Sequence, residues 1–466
     1  MSEAQKLAFV ILAAGKGTRM RSSRPKVLHE LCGRSLLLHA TALADALGAH
    51  RSIVVAGTGE DEIRRVLEQE APGTEVVIQQ ELLGTGHAVL QTGERLAGHE
   101  GPMLVMYADH ALFRAETLRG LIDRFTAGAD LALLSGELPD PTGYGRIVRN
   151  STGEIERIVE QRAADARELE IREANLGVYV ARAGWMLDAA SKLDRNNEQK
   201  EYLLPDLVEA ALAAGLRVES AALSDPEEAF GVNTRADLAQ AEAVMRRRIA
   251  HRLMLDGVTF IDPDHSYVDL GVEIGADTVL EPGCRLRGRT RLGSECRVSA
   301  GAVLDDTTVG DRVWIKPHCW TEGARIGNDC QIGPSAHLRP GTVLGDGVRI
   351  GNFVEVKNST LGAGTKADHL SYLGAAEVGA GVTIGCGAIT VNYDGVTKHR
   401  TIIEDGAFIG CNANLVAPVT VGRNGYVAAG STITREVEEG SLAVGRARQR
   451  NIQGWVERFF GRKREE

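Results

Sequence analysis

Beyond residue 260 an aliphatic side chain recurs at every sixth position. Ile274, Leu280, Leu286, Leu292 and Val298 form one phased run, Ile326, Ile332, Leu338, Leu344, Ile350 and Val356 a second, and Ile409, Leu415, Val421, Val427 and Ile433 a third. A period of six suits neither one face of an α-helix nor an ordinary hairpin. It is the signature of a parallel β-helix in which each aliphatic residue points inward. Glycine directly follows many of these positions, at 275, 293, 327, 333, 345, 351, 410 and 422, and is expected there to permit a sharp turn after each short strand. The phase slips near 304–325 and 361–403, which predicts inserted loops.

The first half has a different rhythm. "LAFVIL", "SIVVA", "EVVIQ", "MLVMYA" and "LALLSG" are apolar throughout and alternate with amphipathic stretches such as "SLLLHATALADALG" and "DEIRRVLEQE". Such alternation indicates a mainly parallel sheet covered on both faces, the Rossmann-like arrangement. Residues 235–256 then place Leu238, Ala241, Met245, Ile249 and Leu253 at helical spacing, which predicts a long connecting helix. The predicted division is an α/β domain at 1–232, a linker helix at 233–257, a β-solenoid at 258–447 and a tail at 448–466. Trp455, Phe459 and Phe460 of the tail are expected to dock onto the β-helix, with the final charges in solvent.

A chain of 466 residues exceeds one ordinary core. Its formal net charge of −10 argues against nucleic acid or a membrane surface as partner. No run is long enough to span a bilayer, and the glycine and basic residues after "LAFVILAA" do not look like a signal cleavage region. The seven cysteines include no C-x-x-C pair, so reduced thiols and a cytoplasmic location are expected.

Against this acidic background, Lys16, Arg19, Arg21, Arg24 and Lys26 lie between Gly15 and His29 with no acid among them. A Gly-rich turn after a buried strand brings backbone N–H groups to phosphate oxygens, and these five cations are dense enough to hold a triphosphate. The spacing is not that of a Walker A loop, and Met20 stands where a dinucleotide fingerprint needs its third glycine.

The string "LAAGKGTRMRSSRPKVL" resembles the signature of sugar-1-phosphate nucleotidylyltransferases. Joined to a left-handed parallel β-helix of hexapeptide repeats, it is similar to the bifunctional N-acetylglucosamine-1-phosphate uridyltransferase/glucosamine-1-phosphate acetyltransferase family. The resemblance implies Mg²⁺ as cofactor, with UTP, glucosamine-1-phosphate, N-acetylglucosamine-1-phosphate and acetyl-CoA as small-molecule substrates, and a homotrimer. It implies metal ligation by Asp109, at the end of "MLVMYA", and Asn233, in "FGVNT". It assigns nucleotide or sugar-phosphate contacts to Leu12, Ala13, Gly15, Lys26, Gln79, Gly84, Thr85, Gly145, Glu160 and Asn175, and to Asn233 as well. His110, Leu82 and Leu176 depart from the usual residues at their positions.

In the second half, "HLSYLG" matches the family segment with its catalytic histidine, so His369 is the expected general base for a glucosamine amine. Glu355 is a candidate to orient that imidazole. Arg339, Lys357, Tyr372, Thr383, Asn392, Tyr393 and Lys398 correspond to acetyl-acceptor positions, and Cys386, Cys411, Ala429 and Arg446 to acetyl-CoA contacts. Thr383 replaces the usual Asn and Cys411 the usual Ser. Two other readings compete: a nucleotidylyltransferase for another sugar or nucleotide with a structural β-helix, and a noncatalytic scaffold. Structure alone has no need of Lys26, Asp109, Asn233 and His369 together.

Overall fold

The computed structural model describes residues 6–197 and 200–460. The chain divides into two compact units, Met1–Arg246 and Arg247–Glu466. The helix Arg235–Leu255 runs through the division.

The first unit is built on a nine-stranded sheet. Its strands are β1 (Ala8–Ala13), β2 (Arg51–Ala56), β3 (Thr74–Ile78), β4 (Pro102–Tyr107), β5 (Leu131–Glu137), β6 (Gly145–Arg149), β7 (Ile155–Val159), β8 (Glu173–Arg182) and β9 (Val218–Ala222). The main order is β9-β5-β8-β4-β1-β2-β3, with the β6–β7 hairpin attached to β8. β4, β1, β2 and β3 are mutually parallel, as expected. β8 runs antiparallel to both of its main-path neighbours, so the sheet is mixed.

β1 shows why its sequence is apolar throughout. Phe9, Ile11 and Ala13 enter the core on one face of the sheet, and Ala8, Val10 and Leu12 the core on the other. Helices Leu36–Ala46 and Glu60–Glu70 form where predicted; the second is amphipathic as read, whereas the first is buried nearly all round, from Leu36 to Thr41 and at Leu43 and Ala44. In the first, the Ser35 hydroxyl accepts from the Leu38 N–H at 3.3 Å, satisfying one of the free donors of the first turn.

In the second unit, three parallel sheets of eleven, ten and nine short strands stack coil on coil, as in a left-handed β-helix. The phased aliphatics point inward as read, and Leu280, Val298, Ile332, Leu338 and Val356 are wholly buried. The phase slips have a different cause from the one expected. Between Leu304 and Ile326 no loop is inserted; coils shorten from eighteen residues, as in Val279 paired with Arg297, to seventeen, as in Arg297 paired with Trp314. The second slip region contains one true insertion, where Thr383 pairs with Phe408, twenty-five residues on. The extra residues form the exposed 392–400 loop, closed by an antiparallel bridge between Tyr393 and Lys398.

The glycines after the strands also serve another purpose. Among the eight, only Gly333 has a positive φ; Asp277, Glu295 and Asp329 take left-handed turn positions elsewhere. A Cβ on Gly275 would sit 2.7 Å from the Gly293 carbonyl carbon, and one on Gly410 would sit 2.5 Å from the Ala429 nitrogen. Glycine is required there because adjacent coils touch backbone to backbone. The tail differs too: Trp455 stacks on Phe459, Phe460 meets both rings edge-on, and all three remain exposed. Its last six residues lie outside the described residues.

Candidate functional sites

β1 and β4 are neighbours, with Leu12 paired to Tyr107, and the loops after both strands open at the same sheet edge. β1 has its sequence successor β2 on one side and β4 on the other, the kind of strand-order reversal that leaves a ligand crevice in open α/β sheets. Two adjoining cavities occupy it. One, of about 450 Å³, is lined by Leu12, Ala13, Gly15, Lys26, Gln79, Gly84 and Thr85; the other, of about 650 Å³, by Gly145, Glu160, Asn175 and Asn233. Tyr107 and Asp109 line both. Every candidate residue of the first unit therefore faces one crevice.

At the junction the Lys26 ammonium lies 2.5 Å from Asp109 Oδ2 and 3.2 Å from Asn233 Oδ1. Arg19 also donates to Asn233 Oδ1, at 2.9 Å. Asn233 is held by the start of the connecting helix: Asp237 Oδ2 accepts from the Asn233 and Thr234 N–H groups, and the Thr234 hydroxyl accepts from the Asp237 N–H. This reciprocal capping anchors the amide. Gly17, at φ 58°, lets the loop return so closely that a Cβ there would lie 2.6 Å from Lys26 Cβ. Not all five cations converge, since Arg24 turns to Glu30 at 3.3 Å.

Burial works to raise the Asp109 pKa, but positive charge at His110 and Lys26 and the Lys26 hydrogen bond outweigh it and hold the carboxylate ionised. Burial lowers the pKa of His110, against the opposing pull of the Asp109 carboxylate. Asp109 Oδ1 is buried with no hydrogen-bond partner. An orphaned carboxylate oxygen beside an amide oxygen is a donor set that fits a hard, partly hydrated cation sharing phosphate oxygens.

Hydrogen bonds tie the cavity walls together. Gln79 is buried, donating to the Gly84 carbonyl at 3.0 Å, and Thr85 Oγ1 accepts from the Leu204 N–H at 2.9 Å. Asn175 donates to the Tyr179 hydroxyl at 2.6 Å, at a β-bulge in β8. Burial raises the Glu160 carboxyl pKa. The residues that depart from the family pattern face the same space: Leu82 lines the smaller cavity, and His110, stacked on Phe113, lines the larger with Leu176.

On the β-helix, coil stacking brings distant residues into register. His369 pairs with Asn352 one coil earlier, and its Nδ1 lies 3.0 Å from Asn352 Oδ1. Among the described residues no hydrogen bond joins Glu355 to the imidazole; its carboxylate accepts from Arg339 at 2.8 Å. Asn352 is thus the residue missed by sequence reasoning; the seventeen-residue coil spacing back from His369 was the available signal. Leu338 pairs with Val356, which sets Arg339 beside Lys357, two cations suited to one phosphate. Tyr372 pairs with Glu355 and follows His369 around one corner.

Thr383 lies in register with Lys366. Asn392, Tyr393 and Lys398 belong to the exposed loop, apart from the His369–Asn352 pair in its coil. Cys386, Cys411, Ala429 and Arg446 are exposed along one edge, and Arg446 donates to the Ala429 carbonyl at 2.7 Å.

Residues 9–173 match the family model of a MobA-like NTP transferase domain, residues 263–362 that of the GMPPB C-terminal domain, and residues 400–435 that of the bacterial transferase hexapeptide (six repeats). The chain is 47% identical over 456 residues to the bifunctional protein GlmU of Geobacillus thermodenitrificans, covering 98% of both. It is 44% identical over 452 residues to that of Pelobacter propionicus, covering 97% of this chain and 98% of the relative.

Proposed function

The chain belongs to the family of bifunctional GlmU proteins, and on that premise we propose that it makes UDP-N-acetylglucosamine by two transfers at separate sites. Acetyl-CoA first acetylates glucosamine-1-phosphate on the β-helix. The product then displaces pyrophosphate from UTP in the sheet-edge crevice. The observation that carries this reading is the convergence of Lys26, Asp109 and Asn233 where two cavities meet.

In the crevice, the smaller cavity takes the nucleotide, with Gln79, Gly84 and Thr85 at the base. The larger takes the sugar phosphate against Gly145, Glu160 and Asn175. Lys26 and Arg19 supply fixed positive charge where the phosphate oxygen attacks the α-phosphorus and the bond to pyrophosphate breaks. Asp109 and Asn233 would hold Mg²⁺, which when bound screens the phosphates' negative charge.

On the β-helix, Asn352 Oδ1 can only accept, so the His369 proton resides on Nδ1 and Nε2 presents its lone pair. Nε2 removes a proton from the amine as nitrogen attacks the thioester carbonyl; the C–N bond forms, the C–S bond breaks and CoA departs as thiolate. Arg339 and Lys357 hold the sugar's phosphate with Tyr372 on the same face, and Thr383 contributes from the face of His369; Asn392, Tyr393 and Lys398 contribute from the loop. Cys386, Cys411, Ala429 and Arg446 face acetyl-CoA.

Among the described residues no helix is long and apolar enough to cross a membrane. A cytoplasmic homotrimer, with functional domains at 1–232 and 258–447, belongs to the same proposal. The test is incubation with glucosamine-1-phosphate, acetyl-CoA, UTP and Mg²⁺, followed by product mass. UDP-N-acetylglucosamine is the expected product. Leu82 and Leu176 in the crevice favour one rival, a nucleotidylyltransferase for another nucleotide or sugar. Turnover of dTTP and glucose-1-phosphate, with no acetyl transfer, would establish that rival.

A further inference from the structure

Five of the seven cysteines are buried and two, Cys386 and Cys411, are exposed. Register places the exposed pair side by side. Ile384 pairs with Ile409 and Ile389 with Asn414, so Cys386 and Cys411 occupy equivalent corner positions of adjacent coils. The Asn412 N–H donates to the Cys386 carbonyl at 2.7 Å, which fixes the two corners against each other.

The same column continues in both directions. Ala367 pairs with Ile384 and Tyr372 with Ile389, which sets Cys386 beside His369. Ile409 pairs with Val427 and Asn414 with Thr432, which sets Cys411 beside Ala429, whose carbonyl holds Arg446. The thiols therefore stand in one column between the imidazole at one end and Ala429 at the other, along the expected acetyl-CoA edge.

We propose that Cys386 and Cys411 are a reversible oxidation site, closing as a disulfide across two coils and shutting off acetyl transfer. Neighbouring strands lie about 4.8 Å apart, within the Cα separation of roughly 4.4–6.8 Å that a disulfide spans. The oxidant is a peroxide. One thiol is oxidised to a sulfenic acid as the O–O bond breaks and water leaves; the second thiol's sulfur attacks that sulfur, the S–O bond breaks, and a second water departs. Two thiols lose two electrons and two protons in total. The bridge ties together two side chains that line the acetyl-CoA path and leaves the sheet-edge crevice untouched.

The part of the proposal about shut-off rests on the acetyl-transfer reading; the disulfide itself does not. The full-length reduced protein is treated with hydrogen peroxide, then analysed by intact mass, by non-reducing peptide mapping and by both transfer assays. Expected are loss of two hydrogens, a Cys386–Cys411 cross-linked peptide, at least a tenfold fall in acetyl-CoA consumption reversed by dithiothreitol, and unchanged UTP-dependent pyrophosphate release. Cys411→Ser, whatever its own basal rate, should give the same acetylation rate before and after peroxide. Addition of oxygen atoms without a cross-link, or equal inactivation of Cys411→Ser, overturns the proposal. A mapped cross-link in a protein that consumes no acetyl-CoA even when reduced keeps the oxidation site and refutes the acetyl-transfer reading instead.

Discussion

Gly17→Ala tests whether the close return of the phosphate loop is what places Lys26. Alanine at φ 58° incurs the left-handed penalty, about 1–2 kcal/mol. Its Cβ would also meet Lys26 Cβ at 2.6 Å, about an ångström inside ordinary contact. Because Lys26 Cβ is attached to backbone, the strand of chain carrying it must move. The ammonium then loses its place 2.5 Å from Asp109 and 3.2 Å from Asn233. A displacement of about 1 Å in a positioned group costs on the order of 10²-fold in rate, or about 2.7 kcal/mol of barrier. Uridylyl transfer, followed as pyrophosphate release, should fall by roughly that factor, while acetyl-CoA consumption stays at the parent rate. Gly98→Ala is the control: Gly98 has φ 75° and open space around its Cβ position, so it carries the backbone penalty alone. It should lower stability by that penalty only and leave both rates unchanged. If Gly17→Ala kept uridylyl transfer within about threefold of the parent, placement of Lys26 by the loop would not be what the reaction needs.

Asp109→Ala should abolish UTP-dependent pyrophosphate release and spare acetyl transfer, with His369→Ala doing the reverse; silencing of both reactions by either change in folded protein would refute two independent sites. Asn352→Ala removes the hydrogen bond that fixes the imidazole tautomer, worth about 1 kcal/mol; acetylation should slow several-fold, seen in kcat more than KM for glucosamine-1-phosphate, and an unchanged kcat would refute that role. Gly362→Ala drives a Cβ to 2.5 Å from the Gly379 carbonyl carbon, and should cost about 1–3 kcal/mol in denaturant unfolding of the β-helix, as overpacking does. Burial lowers the His39 pKa from 6.5 to about 4, so between those values the unfolded chain binds the extra proton. His39 should therefore remove about 3 kcal/mol as pH falls from 6.5 to 4, and His39→Gln should flatten that part of the stability profile.

Much of the fold was legible because hydrophobic period reports which side chains are inside, and the two halves have different periods. Strand direction was not. "EANLGVYVAR" has the apolar character of a doubly covered strand whichever way it runs, so nothing in it marked β8 as the antiparallel member of the sheet. The glycines were seen but misassigned: sequence records that a side chain is missing, and only the next coil shows that backbone occupies its place. Five-residue rungs were mistaken for insertions because losing one residue and gaining several both break a six-residue phase.

The two candidate sites differed in legibility for a physical reason. In the crevice, Lys26 and Asn233 meet although 207 residues separate them; no local spacing encodes that meeting, and the resemblance supplied what periodicity could not. On the β-helix the coil length converts sequence distance into contact. A residue seventeen or eighteen positions away is a neighbour on the next coil, whereas a residue three away lies around the corner on a different face. By that rule His369 has Asn352 and Cys386 as its neighbours, and Glu355 falls on the face with Arg339 and Tyr372. The rule also puts the Cys386–Cys411 pair beyond chance proximity: the inserted loop makes their coil twenty-five residues long, and the two thiols still return to the same corner. The register is set by strands on both sides of the cysteines, so replacing either thiol leaves the corners in place. Loss of peroxide sensitivity in such a variant would therefore report the missing sulfur and not a displaced coil.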